Sequence, residues 1–452
     1  MQMGRNCARR KLSDHQYSSF LQSKSVYYSL MFDVIIVGAG PAGLGLLSSI
    51  YRLSSGKRDF KLCMIDKSKS HNTGKLSDYR ISSDTRVEKF LTCLDDLPDH
   101  ILSAPELQSL TLKLKSYGKK AAPLSEVGAF YRVLGQLIQA DMISNNQLEF
   151  KDETAMLSAK WKEDNWEVLI NTDGLSKTLK TKHLALACGA SELNENAKAF
   201  LQEQDFPLKD ANKFTLSSEL LKANRTSPIV KHLKNLDDPQ VVIIGGSHSA
   251  ISSANKLLSL EIQFKDASIK LFHRSPLYVT FESSEEAKKL GFTDFNEEDI
   301  CPHTNRVYAL KGFRLEAARL LKAIRGYNEG GPLEKRVALR RLQETNKSAL
   351  KDVLRRADLV ISSLGYTPNY PPLYDGLSGD KIRLNAPNFV NENSELLDSD
   401  SQKVPNCYAL GLASNYILAG RFGETSFKGQ ANGLVLWHKD IGMDIATTLL
   451  GH

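Results

Sequence analysis

Five short apolar runs punctuate the chain: "DVIIV" (33–37), "FKLCMID" (60–66), "VVII" (241–244), "ASIKLFH" (267–273) and "LVIS" (359–362). Their cores are apolar at nearly every position and do not alternate. That pattern predicts strands buried on both faces of a parallel sheet. Two of the runs lead through glycine-rich turns into helical patterns, "LGLLSSIYRL" (44–53) and "ISSANKLLSL" (251–260), and then into a further strand. Strand, turn, helix and strand thus occur twice, about two hundred residues apart. Repeated units of this kind predict an α/β fold with two doubly wound, Rossmann-like dinucleotide-binding domains.

The first turn reads Gly38-Ala39-Gly40-Pro41-Ala42-Gly43. Gly38 allows the tight turn, Gly40 lets backbone approach a pyrophosphate, and Gly43 lets helix and strand pack closely. The helix start offers unpaired N–H groups and a positive dipole end to phosphates. The next strand ends in Asp66, 23 residues after Gly43, where a carboxylate suits the hydroxyls of an adenosine ribose. The second turn is looser: Gly245, Gly246, Ser247, His248, Ser249 and Ala250, with Ser247 in the place of the middle glycine. Its following strand ends in His273 and Arg274 instead of an acid. An arginine there accommodates the 2′-phosphate of NADP, although an ordinary surface arginine gives the same residue. His248 reads as a polar loop residue, with no serine or cysteine to partner it. The clean turn suits a permanently held cofactor, and the looser one a cofactor that arrives and leaves.

Length and composition narrow the class. The chain has 452 residues, 41% hydrophobic and 25% charged, enough for two or three globular domains. No apolar run approaches the roughly 18 residues of a membrane span. The net charge of +7 fits an anionic ligand or an ordinary solvated surface. Cys7, Cys63, Cys93, Cys188, Cys301 and Cys407 show neither redox-dithiol nor zinc spacing. They read as reduced thiols in a cytoplasmic setting, and they count against a flavoprotein disulfide reductase. Residues 1–30 carry Arg5, Arg9, Arg10 and Lys11 with one acid, Asp14. They admit a transit-peptide reading, but a disordered extension before a fold that begins at Met31 is preferred. Residues 333–356, rich in Lys and Arg, read as a solvated helix near an anionic cofactor rather than a nucleic-acid patch.

With two such turns the sequence resembles the two-dinucleotide-binding flavoproteins. "DLVISSLGYTPNYP" (358–371) is similar to the D-x-x-x-(L/F)-A-T-G-Y-x-x-x-x-(H/P) pattern of the N-hydroxylating flavin monooxygenases, which act on lysine, ornithine and related amines. Asp358, Gly365, Tyr366 and Pro371 match it, while Ser362, Ser363 and Leu364 depart. "HLALACGA" (183–190), "KFTLSSELL" (213–221) and "VPNCYALGL" (404–412) resemble further segments of that group, the last with Gly411 present and Leu412 in place of an acid. "GETSFKGQANGLVLW" (423–437) reads as a turn and helix start, with free N–H groups near Lys428 and Gln430 able to face the flavin ring.

The resemblance implies FAD in the first domain, NADPH in the second, and O2 with a small amine or amino acid as substrates. The reaction it implies is hydroxylation of a nucleophilic nitrogen through a flavin hydroperoxide. It implies cofactor binding by Gly38, Gly40, Pro41, Ala42, Gly43, Asp66, Gly245, Gly246, Ser247, His248, Ser249, Arg274, Gly365, Tyr366 and Gly411. No side chain is assigned as catalytic, because the cofactor carries the chemistry. A split FAD-binding domain (31–232 and 356–452) would enclose an NAD(P)H-binding insertion (235–355). An NAD(P)H-dependent flavin oxidoreductase without oxygen insertion, and a non-enzymatic FAD-binding protein, remain open alternatives.

Overall fold

The computed structural model describes residues 31–54, 60–69, 73–193, 195–208, 213–327, 331–412, 414–416, 423–429 and 433–451. The readings made for residues 1–30 and Gln430 lie outside them.

Two sheets carry the molecule. The first has nine strands, and its central path runs Leu373–Asp375, Thr154–Lys162, Asn165–Thr172, Leu175–Leu186, Met31–Val37, Leu62–Ile65, Leu148–Lys151. Met31–Val37 is parallel to both neighbours, and Lys403–Ala409 adds in parallel on Leu175–Leu186. The strands between 154 and 186 form an antiparallel meander. The helix Pro41–Ser54 packs against Leu124–Ser144, Leu434–His438 and Ile441–Leu450. The chain's C-terminal helices therefore cover the first turn's own helix.

The second sheet has five strands, all parallel, in the order Phe214–Leu216, Leu359–Ser362, Val241–Ile244, Ile269–His273, Val337–Arg341. Alternation along Val241–Ile244 shows why it is doubly wound. Val241 and Ile243 join a core with Ala250, Leu257 and Leu321 on one face. Val242 and Ile244 join another with Leu201, Leu350 and Leu354 on the opposite face. Because side chains alternate along a strand, a run apolar at every position requires both faces to be covered. Two of the five strands, Phe214–Leu216 and Leu359–Ser362, come from outside residues 235–355.

One expectation is corrected. Residues 333–356 are not one helix: Val337–Arg341 is a strand, and the helix begins only at Lys347. Ala, Leu, Lys and Arg favour helix locally, but Val337–Arg341 pairs in register with Ile269–His273 and closes the sheet. It forms the sheet's edge, where Arg340 and Arg341 discourage pairing with another chain.

Candidate functional site

The two turns are built alike. Gly38 (φ +105) and Gly245 (φ +137) each follow a central parallel strand. A Cβ at Gly38 would drive into the carbonyl oxygen of Ala187, and one at Gly245 into that of Ser363. Ala187 and Ser363 each follow the neighbouring strand, at the place where strand order reverses, which is where α/β sheets bind ligands. These two glycines are therefore demanded by the sheets themselves. Gly43 is demanded by the carbonyl of Gly38, against which a Cβ would collide. Ala250 fills the corresponding place in the second turn and is fully buried.

Gly40 differs. Nothing approaches its Cβ position closer than Gly74 Cα at 3.8 Å. That open face is the property a pyrophosphate requires. The N–H groups of Gly40, Ala42 and Gly43 have no acceptor among the described residues. Gly411 (φ +87) lies against Ala42, its Cβ position 2.9 Å from the Ala42 methyl. The late strand thus returns to the first turn. Asp66 plays a part the sequence did not reveal: its Oδ2 accepts the Ala39 N–H at 2.6 Å, and its Oδ1 accepts the Ser68 N–H and hydroxyl at 2.9 and 2.7 Å. It pins the turn and keeps one further acceptor position, on Oδ2, for a ribose hydroxyl. Cys188 lies nearby, and burial pushes its thiol up to about 12. It is a neutral thiol at ordinary pH, not an activated redox nucleophile.

At the second turn, Ser247 is the exposed N-cap of the helix His248–Leu258, and its side chain makes no capping bond. The N–H groups of Ser247, His248 and Ser249 have no acceptor among the described residues. Gly246 faces His273 Cβ, with its own Cβ position 3.2 Å away. Arg274 is exposed just past the second strand of this unit. Strand pairing sets Arg341 beside His273, so Arg274, Arg340 and Arg341 crowd one corner of the sheet.

Gly365 and Tyr366 join this second cluster. The Tyr366 phenol lies beside Ser249, Tyr79 and Ser217. Burial, and then the charge of Glu192, push the phenol upward, partly offset by those neighbouring polar side chains. Glu192 is 6% exposed and accepts the Ser217 and Ser218 N–H groups at 3.1 and 2.9 Å, together with the Ser217 hydroxyl. Thr367–Pro368 pairs antiparallel with Ala190–Ser191, a two-stranded crossing that joins the C-terminal ends of both sheets. The motif around Gly365 therefore bridges the two turns.

A further cluster was not legible beforehand. Asp84, on the strand Ser82–Arg86, accepts from Arg314 Nη2 at 3.1 Å and stands 3.4 Å from His248 Nε2. Burial opposes ionisation of Asp84, but Arg314 and His248 outweigh it and bring the carboxyl down to about 2. Arg86 pairs with Glu282, which also holds Arg306. Glu424, 1% exposed, accepts the Leu310 and Lys311 N–H groups at 3.0 and 2.8 Å. Ser426 donates to Asp299 at 2.6 Å. The segment 423–429 is thereby fastened to the loop preceding the helix Leu315–Arg325, with Lys428 exposed on it. Among the described residues no group of His, Cys, Asp and Glu suits a metal ion, and no helix is long and apolar enough to cross a membrane.

The fold is that of the two-dinucleotide-binding-domain flavoproteins. It matches L-lysine 6-monooxygenase from Pseudomonas syringae with TM-score 0.54 and 14% identity, over 93% of this chain and 99% of that one. The reduced form of ornithine hydroxylase from Pseudomonas aeruginosa matches with TM-score 0.52 and 15% identity, over 94% and 100% of the two chains. An ornithine N-hydroxylase of Kutzneria sp. 744, solved with reduced FAD, NADP+ and L-ornithine, matches with TM-score 0.51 and 13% identity, over 93% and 99%. At these identities the likeness is one of fold. No family model and no curated protein matches the sequence.

Proposed function

We propose that the chain is an FAD- and NADPH-dependent monooxygenase that hydroxylates a nucleophilic nitrogen of a small amine or amino acid. The observation that carries this reading is the pair of glycine turns at the reversal points of two parallel sheets, bridged by the Gly365–Tyr366 segment. The flavin would be held by the N–H groups of Gly40, Ala42 and Gly43, by Asp66, and by the close passage of Gly411. The nicotinamide nucleotide would be held by Ser247, His248 and Ser249 at their N–H groups, with Gly245 and Gly246 shaping the turn and Arg274 at the 2′-phosphate. When bound, the flavin takes hydride from the nicotinamide and activates oxygen.

The chain's own residues position and shield. Asp66 braces the first turn through Ala39. Tyr366 sets its phenol beside the second turn's Ser249 and beside Tyr79 and Ser217. The strand Ser82–Arg86, paired with Ala121–Pro123, and the segment 423–429 are tied through Arg314 and Asp299 to the residues before the helix Leu315–Arg325, and covering of this kind would keep water from a reactive centre.

The test is reduction by NADPH without oxygen, followed by rapid mixing with oxygen while the flavin spectrum is recorded. A lag before the oxidised spectrum returns, and a product one oxygen atom heavier than a supplied amine, are expected. Immediate reoxidation with hydrogen peroxide release would favour a reductase. A flavin that neither nicotinamide reduces would leave a binding protein.

A further inference from the structure

His248 occupies an unusual position for a titratable side chain. It is the first residue of the helix His248–Leu258, and its own N–H is one of the three at the second turn with no acceptor among the described residues. Its ring packs on Phe313 with centroids 4.7 Å apart. The charged groups facing the ring are Asp84, from the strand Ser82–Arg86, and Arg314, at the N-cap of the helix Leu315–Arg325. Asp84 is already committed to Arg314, which donates through Nη2 to the carboxylate at 3.1 Å and through Nε to the Asp84 carbonyl at 3.3 Å. His248 Nε2, at 3.4 Å from the same carboxylate, is buried and makes no aligned hydrogen bond.

We infer that binding of a dinucleotide at the second turn is coupled to uptake of a proton by His248, which then forms a charged bridge between the turn and Asp84. The inference rests on the reading of the second turn as the nicotinamide-nucleotide site. The Asp84 carboxylate faces both the Arg314 guanidinium and the imidazole, and burial, opposed by Asp84 and assisted by Arg314, keeps the imidazole below its usual value and so mostly neutral at pH 7. Phosphates at the helix start add negative charge on the open side of the ring. Opposite charge within about 4–6 Å raises an imidazole pKa by roughly one to three units. The proton comes from solvent, and nothing is oxidised or reduced. Imidazolium, carboxylate and guanidinium then alternate from the phosphates to Arg314, which ties the strand Ser82–Arg86 to the occupied turn. Were His248 only a packing residue against Phe313, nucleotide binding would leave the protonation state untouched.

The experiment is isothermal titration of the full-length, FAD-saturated protein with NAD+ at pH 7.0, in buffers of different ionisation enthalpy. NAD+ is used because it lacks a 2′-phosphate that titrates on its own; NADP+ serves as a second ligand. The native protein is expected to take up roughly half a proton per nucleotide, and its affinity for NAD+ to fall about tenfold between pH 6 and pH 8. H248Q keeps the turn's N–H groups and is expected to bind with no proton uptake and no pH dependence of affinity. D84N, which leaves the ring in place, is expected to lose most of the uptake. Equal uptake in native and H248Q protein, or none in the native protein, overturns the inference. Failure of the native protein to bind NAD+, NADP+ or NADPH at any pH removes the nucleotide reading itself, and the inference with it.

Discussion

Replacing His438 with Phe should stabilise the protein, and should do so more as the pH falls. His438 ends the helix Leu434–His438, is 1% exposed, and stacks on Tyr131 with centroids 4.7 Å apart at an interplanar angle of 16°. Neither ring nitrogen has a hydrogen-bond partner among the described residues. A buried polar group left unpaired costs about 1–3 kcal/mol, so a phenyl ring that keeps the stack should recover part of that at neutral pH. Burial, and then the nearby Arg52, bring the imidazole from 6.5 down to about 3. Between those values the unfolded chain binds a proton that the folded one refuses. The native protein therefore loses about 1.4 kcal/mol for each pH unit below 6.5 through this group, and nothing above it. At pH 5 the loss reaches about 2 kcal/mol. Urea unfolding followed by tryptophan fluorescence, with Trp437 adjacent as reporter, measures both proteins at pH 7.5 and pH 5.0. The variant should have the higher midpoint at both, with the wider gap at pH 5.0. An equal gap at the two pH values would refute the buried neutral imidazole. A lower midpoint at both would mean that the nitrogens are partnered.

Other perturbations test the two turns and the segment 423–429. G43A places a methyl against the Gly38 carbonyl and should open the first turn, weakening FAD at least tenfold in equilibrium titration of the apoprotein. R274A should raise the KM for NADPH tenfold or more while leaving NADH nearly unchanged, and equal losses would remove the 2′-phosphate role. E424A strands the Leu310 and Lys311 N–H groups and should cost roughly 2–4 kcal/mol in urea unfolding; an unchanged midpoint would show that the segment 423–429 does not hold the loop.

What the sequence revealed shares one property: the cause is local. Strands such as "VVII" declare burial on both faces by having no polar side to turn outward. Gly38 and Gly245 mark sharp turns directly after their strands, and Asp66 lies one strand away from the turn it serves. The pattern around Gly365 and Tyr366 was visible as a motif, although its approach to Ser249 was not. The residues that escaped notice act across long separations. Asp84 and Arg314 are 230 positions apart, and Glu424 and Leu310 are 114 apart. A surface-type charge carries no periodicity that names its partner, so His248 looked like a loop residue until the fold brought Asp84 and Arg314 to it. The same competition turned Val337–Arg341 from the helix its composition favours into an edge strand, because the unpaired edge of Ile269–His273 offers backbone hydrogen bonds that outweigh a few tenths of a kcal/mol of helix propensity per residue. Local backbone requirements and two-sided burial were written in the chain. Partners for buried charge and backbone across the two sheets were decided only when packing removed water from around them.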